Sequence, residues 1–365
     1  MNKLLMICVT LLTANVSYAS DPWACVNALG HSDSNDPTTT GCNDAQTTPN
    51  TTPIAINEST SKSNIVPSTN VTPPTTRTAN WIYIGNHSDI TQCKITPTGI
   101  NLASCNKVKP STTTAHEFSS PNGMYINHNI LYITGLNYVT QCNLTPSGID
   151  ANSCFQTELE GYQIANPQIV GNTFFYTTRE QIAYCTMNKD GIETDKCKSF
   201  ALGDDNHQTI KSMTIADNMV YVLRGDYGKP NKIVQCSLDK STDMLDTSTC
   251  KTTTPNNAGQ IRDGRDIKIY NNIMYVAGDH AVTTCSLNPD KSINITSCRN
   301  YAIAGGRYFR ASTTGNNKLY VVNDSYNSSI SSCNLTTTGI DAQSCRKFTP
   351  AGDGELRLSQ TLTVY

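Results

Sequence analysis

Twelve cysteines recur as six pairs along the chain, and no other feature restricts the possible folds so tightly. The pairs are Cys93 and Cys105, Cys142 and Cys154, Cys185 and Cys197, Cys236 and Cys250, Cys285 and Cys298, and Cys333 and Cys345. Within a pair 11 to 13 residues intervene, and the first cysteine advances by 49, 43, 51, 49 and 48 residues from pair to pair. A fixed period of this length marks a chain of stacked repeats, each one supersecondary unit.

Other residues keep the same register. A tyrosine precedes each first cysteine inside a short β-like run: Tyr83, Tyr132, Tyr176, Tyr221, Tyr275 and Tyr320. Between paired cysteines lies a turn signal, as in Thr96-Pro97-Thr98-Gly99, Thr145-Pro146-Ser147-Gly148 and Asn188-Lys189-Asp190-Gly191. Proline early in the turn and glycine where φ must be positive are hairpin chemistry. The second repeat parses into strands over residues 124–128, 130–134, 139–144 and 152–156. Four short antiparallel strands in about 45 residues make one propeller blade. The first repeat starts on its Tyr-bearing strand at Trp81, and residues 356–365 supply a surplus strand. Placed in the first blade, that C-terminal strand closes the ring. The fold expected is an all-β, six-bladed β-propeller of four-stranded antiparallel blades.

The runs Tyr83-Ile84-Gly85-Asn86 and Tyr320-Val321-Val322-Asn323 resemble the YVTN family of β-propeller repeats. In that family the Tyr strand is followed by a Val-Ser-Val-type strand. Ile90-Thr91-Gln92-Cys93 and Val139-Thr140-Gln141-Cys142 fill its place here. The resemblance covers residues 81–365 and implies a propeller. The paired cysteines, and a count of six blades where many relatives have seven, depart from it.

In each blade the first cysteine falls on the third strand and the second on the fourth, across one hairpin. Facing residues of a non-hydrogen-bonded antiparallel pair lie within disulfide reach, so one bond per blade is predicted. Each closes a short loop and contributes about 3 kcal/mol in the loop-entropy model. Zinc is the rival, and the absence of any Cys-x-x-Cys pair argues against it.

Ahead of the ring, Lys3, the apolar residues 4–12 and Ser17-Tyr18-Ala19 have the three parts of a secretory signal. Residues 1–19 are therefore read as a signal peptide and the protein as secreted, periplasmic or extracellular. Cys8 leaves with the signal, and the lipid-anchor alternative for it lacks the small residues such a site wants. Of the cysteines that remain, Cys25 and Cys42 lie outside the repeats and most simply pair with each other. Residues 20–78, rich in Thr, Pro, Ser and Asn, read as a disordered segment with that small loop, and residues 79–365 as the propeller. No stretch is long and apolar enough to span a membrane. The formal charge of -2 argues against a nucleic-acid partner.

Catalytic motifs such as Gly-x-Ser-x-Gly and His-Glu-x-x-His do not occur. The loops leading into inner strands bring Arg265, Arg310 and Arg357 toward one channel mouth, where planar guanidinium groups suit carboxylate, phosphate or sulfate. Pairing with Asp263, Asp266, Asp353 or Glu355 is their alternative fate. On the same face the loops between second and third strands carry Tyr227, Asn137-Tyr138, Asp279-His280 and Ser325-Tyr326. Exposed tyrosine among small polar residues is adaptable binding chemistry. His207 and His280 complete the candidate ligand-binding set. Arg224-Gly225-Asp226 reads as an integrin-type tripeptide, a match short enough to arise by chance. The leading expectation is a non-catalytic, monomeric module that binds a protein or carbohydrate and needs no cofactor. The first alternative is a hydrolase or lactonase with a divalent metal at the mouth, held by Asp204, Asp205, His207, Asp279 and His280. The second is a purely structural envelope or surface protein.

Overall fold

The computed structural model describes residues 80–365 apart from 112–117, 119, 203–208, 226–230, 240, 255–260, 262, 280, 304–307, 324–327 and 357. Signal peptide, linker and the Cys25–Cys42 pairing lie outside the described residues.

The described chain forms six antiparallel sheets arranged as the blades of a propeller. The inner strand of each blade packs beside the inner strand of the next, so that Thr361–Val364, Gly123–Asn127, Ala165–Val170, Thr209–Ala216, Gly264–Tyr270 and Phe309–Gly315 form a closed ring. The first of these belongs to blade 1, where Leu362 pairs with Ile84 and Val364 with Ile82. The surplus strand thus closes the ring as expected, although it spans Thr361–Val364 and not all of residues 356–365.

Second strands such as Trp81–Gly85, Thr173–Thr177 and Ile273–Gly278 are buried along their whole length. Both faces of such a strand meet a neighbouring blade, which is why these runs are continuously apolar where an ordinary half-exposed strand alternates. The core is accordingly six wedges, each shared by adjacent blades; Tyr275 of blade 5 packs with Leu319 and Val321 of blade 6 in one of them. All six repeat tyrosines are buried. Tyr221 Oη donates to the Lys291 carbonyl of the next blade at 2.9 Å.

All six predicted disulfides are present, with Cα separations of 4.0 to 4.2 Å. Their setting differs from a plain facing pair. In blade 1 the register jumps from Gln92↔Asn106 to Lys94↔Asn101, so Leu102, Ala103, Ser104 and Cys105 all lie opposite Cys93. The outer strand makes one tight excursion there and returns on its cysteine. In blade 2 this excursion is a 3-10 turn, Ala151–Ser153, followed by the strand Phe155–Glu158, which corrects the expected strand over residues 152–156.

The excursion has its own sequence rule. In five blades an Asn or Asp opens it and a hydroxyl residue stands directly before the second cysteine, while in blade 3 Glu193 opens it. Ser153 Oγ donates to the Asp150 carbonyl at 2.7 Å and accepts from the Asn143 N–H at 2.8 Å, beside Cys142. Ser104, Thr249, Ser297 and Ser344 repeat both bonds in their blades. The hydroxyl thereby satisfies an N–H that the outer strand has left behind. Blade 3 has Lys196 at this position.

Turn glycines let adjacent blades touch. Gly148 (φ +112°) lies against the Gln92 amide, where a Cβ would come within 2.3 Å of the oxygen. That Gln92 oxygen accepts from the Ile149 N–H at 2.9 Å, so blade 1 holds the hairpin of blade 2.

Candidate ligand-binding surface

Three consecutive inner strands carry the same defect at the same place. In blade 4 the register skips between Ile210 and Ser212, in blade 5 between Gly264 and Asp266, and in blade 6 between Phe309 and Ala311. The extra residue in each is a cation: Lys211, Arg265 and Arg310. A bulge leaves one residue out of the ladder and re-aims its side chain, a device common beside functional sites. Lys211 and Arg310 are exposed and Arg265 is half-buried. The structure thus sets the expected Arg265 and Arg310 at equivalent positions on neighbouring blades. It adds Lys211, which sequence reading passed over because a bulge is defined by the partner strand.

Below the bulges a buried carboxylate ties three blades together. Asp266 accepts from Ser212 Oγ of blade 4 at 2.6 Å and from the Ser312 N–H and Oγ of blade 6 at 2.6 and 2.9 Å. Lys268 Nζ lies 3.0 Å away on the same strand. With four charge-assisted contacts, this buried anion is compensated and rigid.

Arg265 pairs through Nε with Asp279 at 3.0 Å, not with the nearby Asp263 or Asp266. The Asp279 carboxylate, a candidate metal ligand of the hydrolase reading, is thereby engaged. Asp279 also bridges to Tyr308 across blades 5 and 6. Tyr308 is 47% exposed. Lys211, Arg265 and Arg310 thus occupy equivalent positions on three neighbouring blades, with the exposed Tyr308 two residues before Arg310.

The remaining expectations divide. Tyr227, His207, His280 and Arg357, with Asp204, Asp205 and Tyr326, lie outside the described residues. Tyr138 is half-buried at the start of its strand, its ring lying over Gly135, and so is not an exposed loop tyrosine. Arg224 is buried and donates through Nη1 to the Leu202 carbonyl. A guanidinium held that way is not presented to a receptor, so the integrin-type reading of Arg224-Gly225-Asp226 fails. Among the described residues, no group of three or more His, Cys, Asp or Glu side chains is placed to hold a metal ion. Within the same residues no helix is long and apolar enough to cross a membrane.

The tyrosine phenols are perturbed for structural reasons. Burial pushes Tyr132, Tyr176, Tyr275 and Tyr320 up to about 12, and Tyr83 and Tyr221 higher still.

No protein-family model and no curated protein matches the sequence. Solved structures do match its shape. A chain of the nidogen/laminin complex aligns with TM-score 0.54 at 12% identity, covering 78% of this chain and 97% of that one. A proposed 6-phosphogluconolactonase from Bacteroides fragilis aligns with TM-score 0.51 at 10% identity, over 80% of this chain and 100% of that one. A second, from Bacteroides uniformis, gives 0.50 at 12%, over 77% and 82%. The likeness is one of fold: this chain is a six-bladed, disulfide-stapled β-propeller.

Proposed function

We propose that the protein is a secreted, non-catalytic binding module whose loop face engages a protein or carbohydrate partner. The observation that carries this reading is the run of three bulges, with Lys211, Arg265 and Arg310 beside the exposed Tyr308 on one rigid scaffold. Cations beside a tyrosine suit a partner that offers acidic groups, and a pre-organised scaffold lowers the entropic cost of binding. Secretion is supported by six disulfides, which persist in oxidising compartments, and by the Lys3-to-Ala19 signal pattern. Kinship with YVTN-type repeats belongs to the same proposal and rests on the repeated Tyr strand.

The test is surface plasmon resonance of the folded protein against immobilised extracellular proteins and acidic polysaccharides, repeated with Lys211→Glu and Arg310→Glu. The reading expects a partner whose affinity drops roughly ten-fold or more in the variants and weakens with salt. A panel without any binder, beside turnover of a lactone or ester substrate, overturns it.

A further inference from the structure

Blade 3 differs from the other five at one cross-strand pair. Where the third strand meets the outer strand, blade 1 pairs Thr91 with Lys107, blade 2 Thr140 with Gln156, blade 4 Val234 with Thr252, blade 5 Thr283 with Asn300 and blade 6 Ser331 with Lys347. Blade 3 pairs Ala183 with Ser199. The larger side chains fill their sites: Gln156 donates to Thr140 Oγ1 at 3.1 Å, and Asn300 accepts from Thr283 Oγ1 at 2.7 Å. Lys107 reaches back to Asp89 at 3.8 Å. In blade 3 both residues are small, Ala183 packed in the core shared with blade 2 and Ser199 exposed, and a cleft of about 390 Å³ that they help to line opens beside them. That volume lies within the range of small-ligand sites, roughly 300–1,000 Å³.

The far wall of the cleft is held in place. It is the turn Glu160-Gly161-Tyr162, pinned by a hydrogen bond from Tyr176 Oη to the Glu160 carbonyl at 3.2 Å. Gly161 (φ +120°) packs so closely on Thr178 that a Cβ would come within 2.7 Å of its methyl group. Tyr162 itself is 59% exposed and lines the cleft. The charged lining residues balance, with Glu160 and Glu180 against Arg179 and Lys198. An exposed aromatic face beside donors and acceptors of both signs, with no net charge, matches a sugar. The apolar face of a pyranose packs on an aromatic ring, and its hydroxyls donate and accept without carrying charge.

We propose that the blade 3 cleft, lined by the Ala183–Ser199 pair and walled by Tyr162, binds a neutral oligosaccharide. The proposal rests on the binding-module reading but uses none of the mouth residues. A printed array of short neutral hexose and N-acetylhexosamine oligosaccharides would be probed with the whole secreted protein, and any hit titrated by calorimetry. Two variants accompany it. Ser199→Gln places the larger outer-strand side chain of blade 2 on the exposed side of the cleft; Tyr162→Ala removes the exposed ring and touches no buried packing. The expected result is an oligosaccharide that binds the native protein and loses roughly ten-fold or more in affinity in both variants, at unchanged melting temperature. An oligosaccharide bound equally by native protein and variants overturns the cleft assignment and leaves the module reading standing. An array without a hit overturns the cleft assignment too, and the mouth variants then decide the module reading on their own.

Discussion

On the face that carries the hairpin turns, one contact is made in every blade. The carbonyls of Asn80, Asn129, Asn172, Asn218, Asn272 and Asn317 accept from the N–H two residues past each first cysteine: Ile95, Leu144, Met187, Leu238, Leu287 and Leu335. On the loop face, among the described residues, the inner strands of the blades are not alike: that of blade 2 pairs in unbroken register, while that of blade 4 skips at Lys211. Bulges of the Lys211 kind interrupt the inner strands of blades 4, 5 and 6, and the Asp266 network ties those three together and touches Asn166 of blade 3 through Ser212. Repetition therefore marks residues that hold the ring. Where repetition stops, side chains are released from that task, and both candidate binding sites lie at such departures.

The harshest way to break the repeating part is alkali. The six repeat phenols keep their protons in the folded protein well above the ordinary value of 10 because they are buried. Unfolded chains lose those protons first, so stability is full below pH 10 and drains as pH climbs toward about 12. Of the seventeen tyrosines, these six should contribute their share of the phenolate absorbance only as the circular dichroism of the fold is lost; the full phenolate absorbance from a still-folded ring would refute the burial argument.

Asp266→Ala probes the irregular face. It strips four contacts from a buried position and leaves Lys268 without its anion, so denaturant unfolding should record a loss of about 3–5 kcal/mol. A loss below 1 kcal/mol would mean that blades 4, 5 and 6 do not depend on this tie. Cys142→Ser with Cys154→Ser removes one staple of the regular kind and should cost about 3 kcal/mol, measured the same way. Ser153→Ala leaves the Asn143 N–H behind and should cost about 1–2 kcal/mol. Lys196→Ala in blade 3 is its control, since no hydroxyl acts there. Lys211→Ala should shift stability by no more than about 0.5 kcal/mol. A larger loss would move Lys211 from the binding surface to the scaffold.

Much of the ring was legible because it depends on residues near one another in sequence: the cysteine pairs, the Tyr strands and the turn glycines. The hydroxyl before the second cysteine of five blades was equally visible as a pattern, yet its purpose was not, because the N–H it satisfies belongs to another strand. The cationic bulges needed the pairing partner to be seen, since Lys211 counts as extra only against Leu223 and Arg224. The blade 3 cleft was harder still. Ala183 and Ser199 are unremarkable singly and matter only once register sets them side by side. The misread loop tyrosine, Tyr138, failed for the same reason: its ring found Gly135, a neighbour that composition does not reveal.

Closing blade 1 with Thr361–Val364 also orders events in time. Blades 2 to 6 are each made from one contiguous stretch of chain, and their cysteines are 12 to 14 residues apart, so each can form and oxidise before the ring is complete. Blade 1 alone must wait, its second strand lacking an inner neighbour until the far end of the ring arrives. Until then Trp81–Gly85 is an open β edge, the kind that recruits foreign strands. The last joint made is thus the one that ends the nascent molecule's exposure to its neighbours.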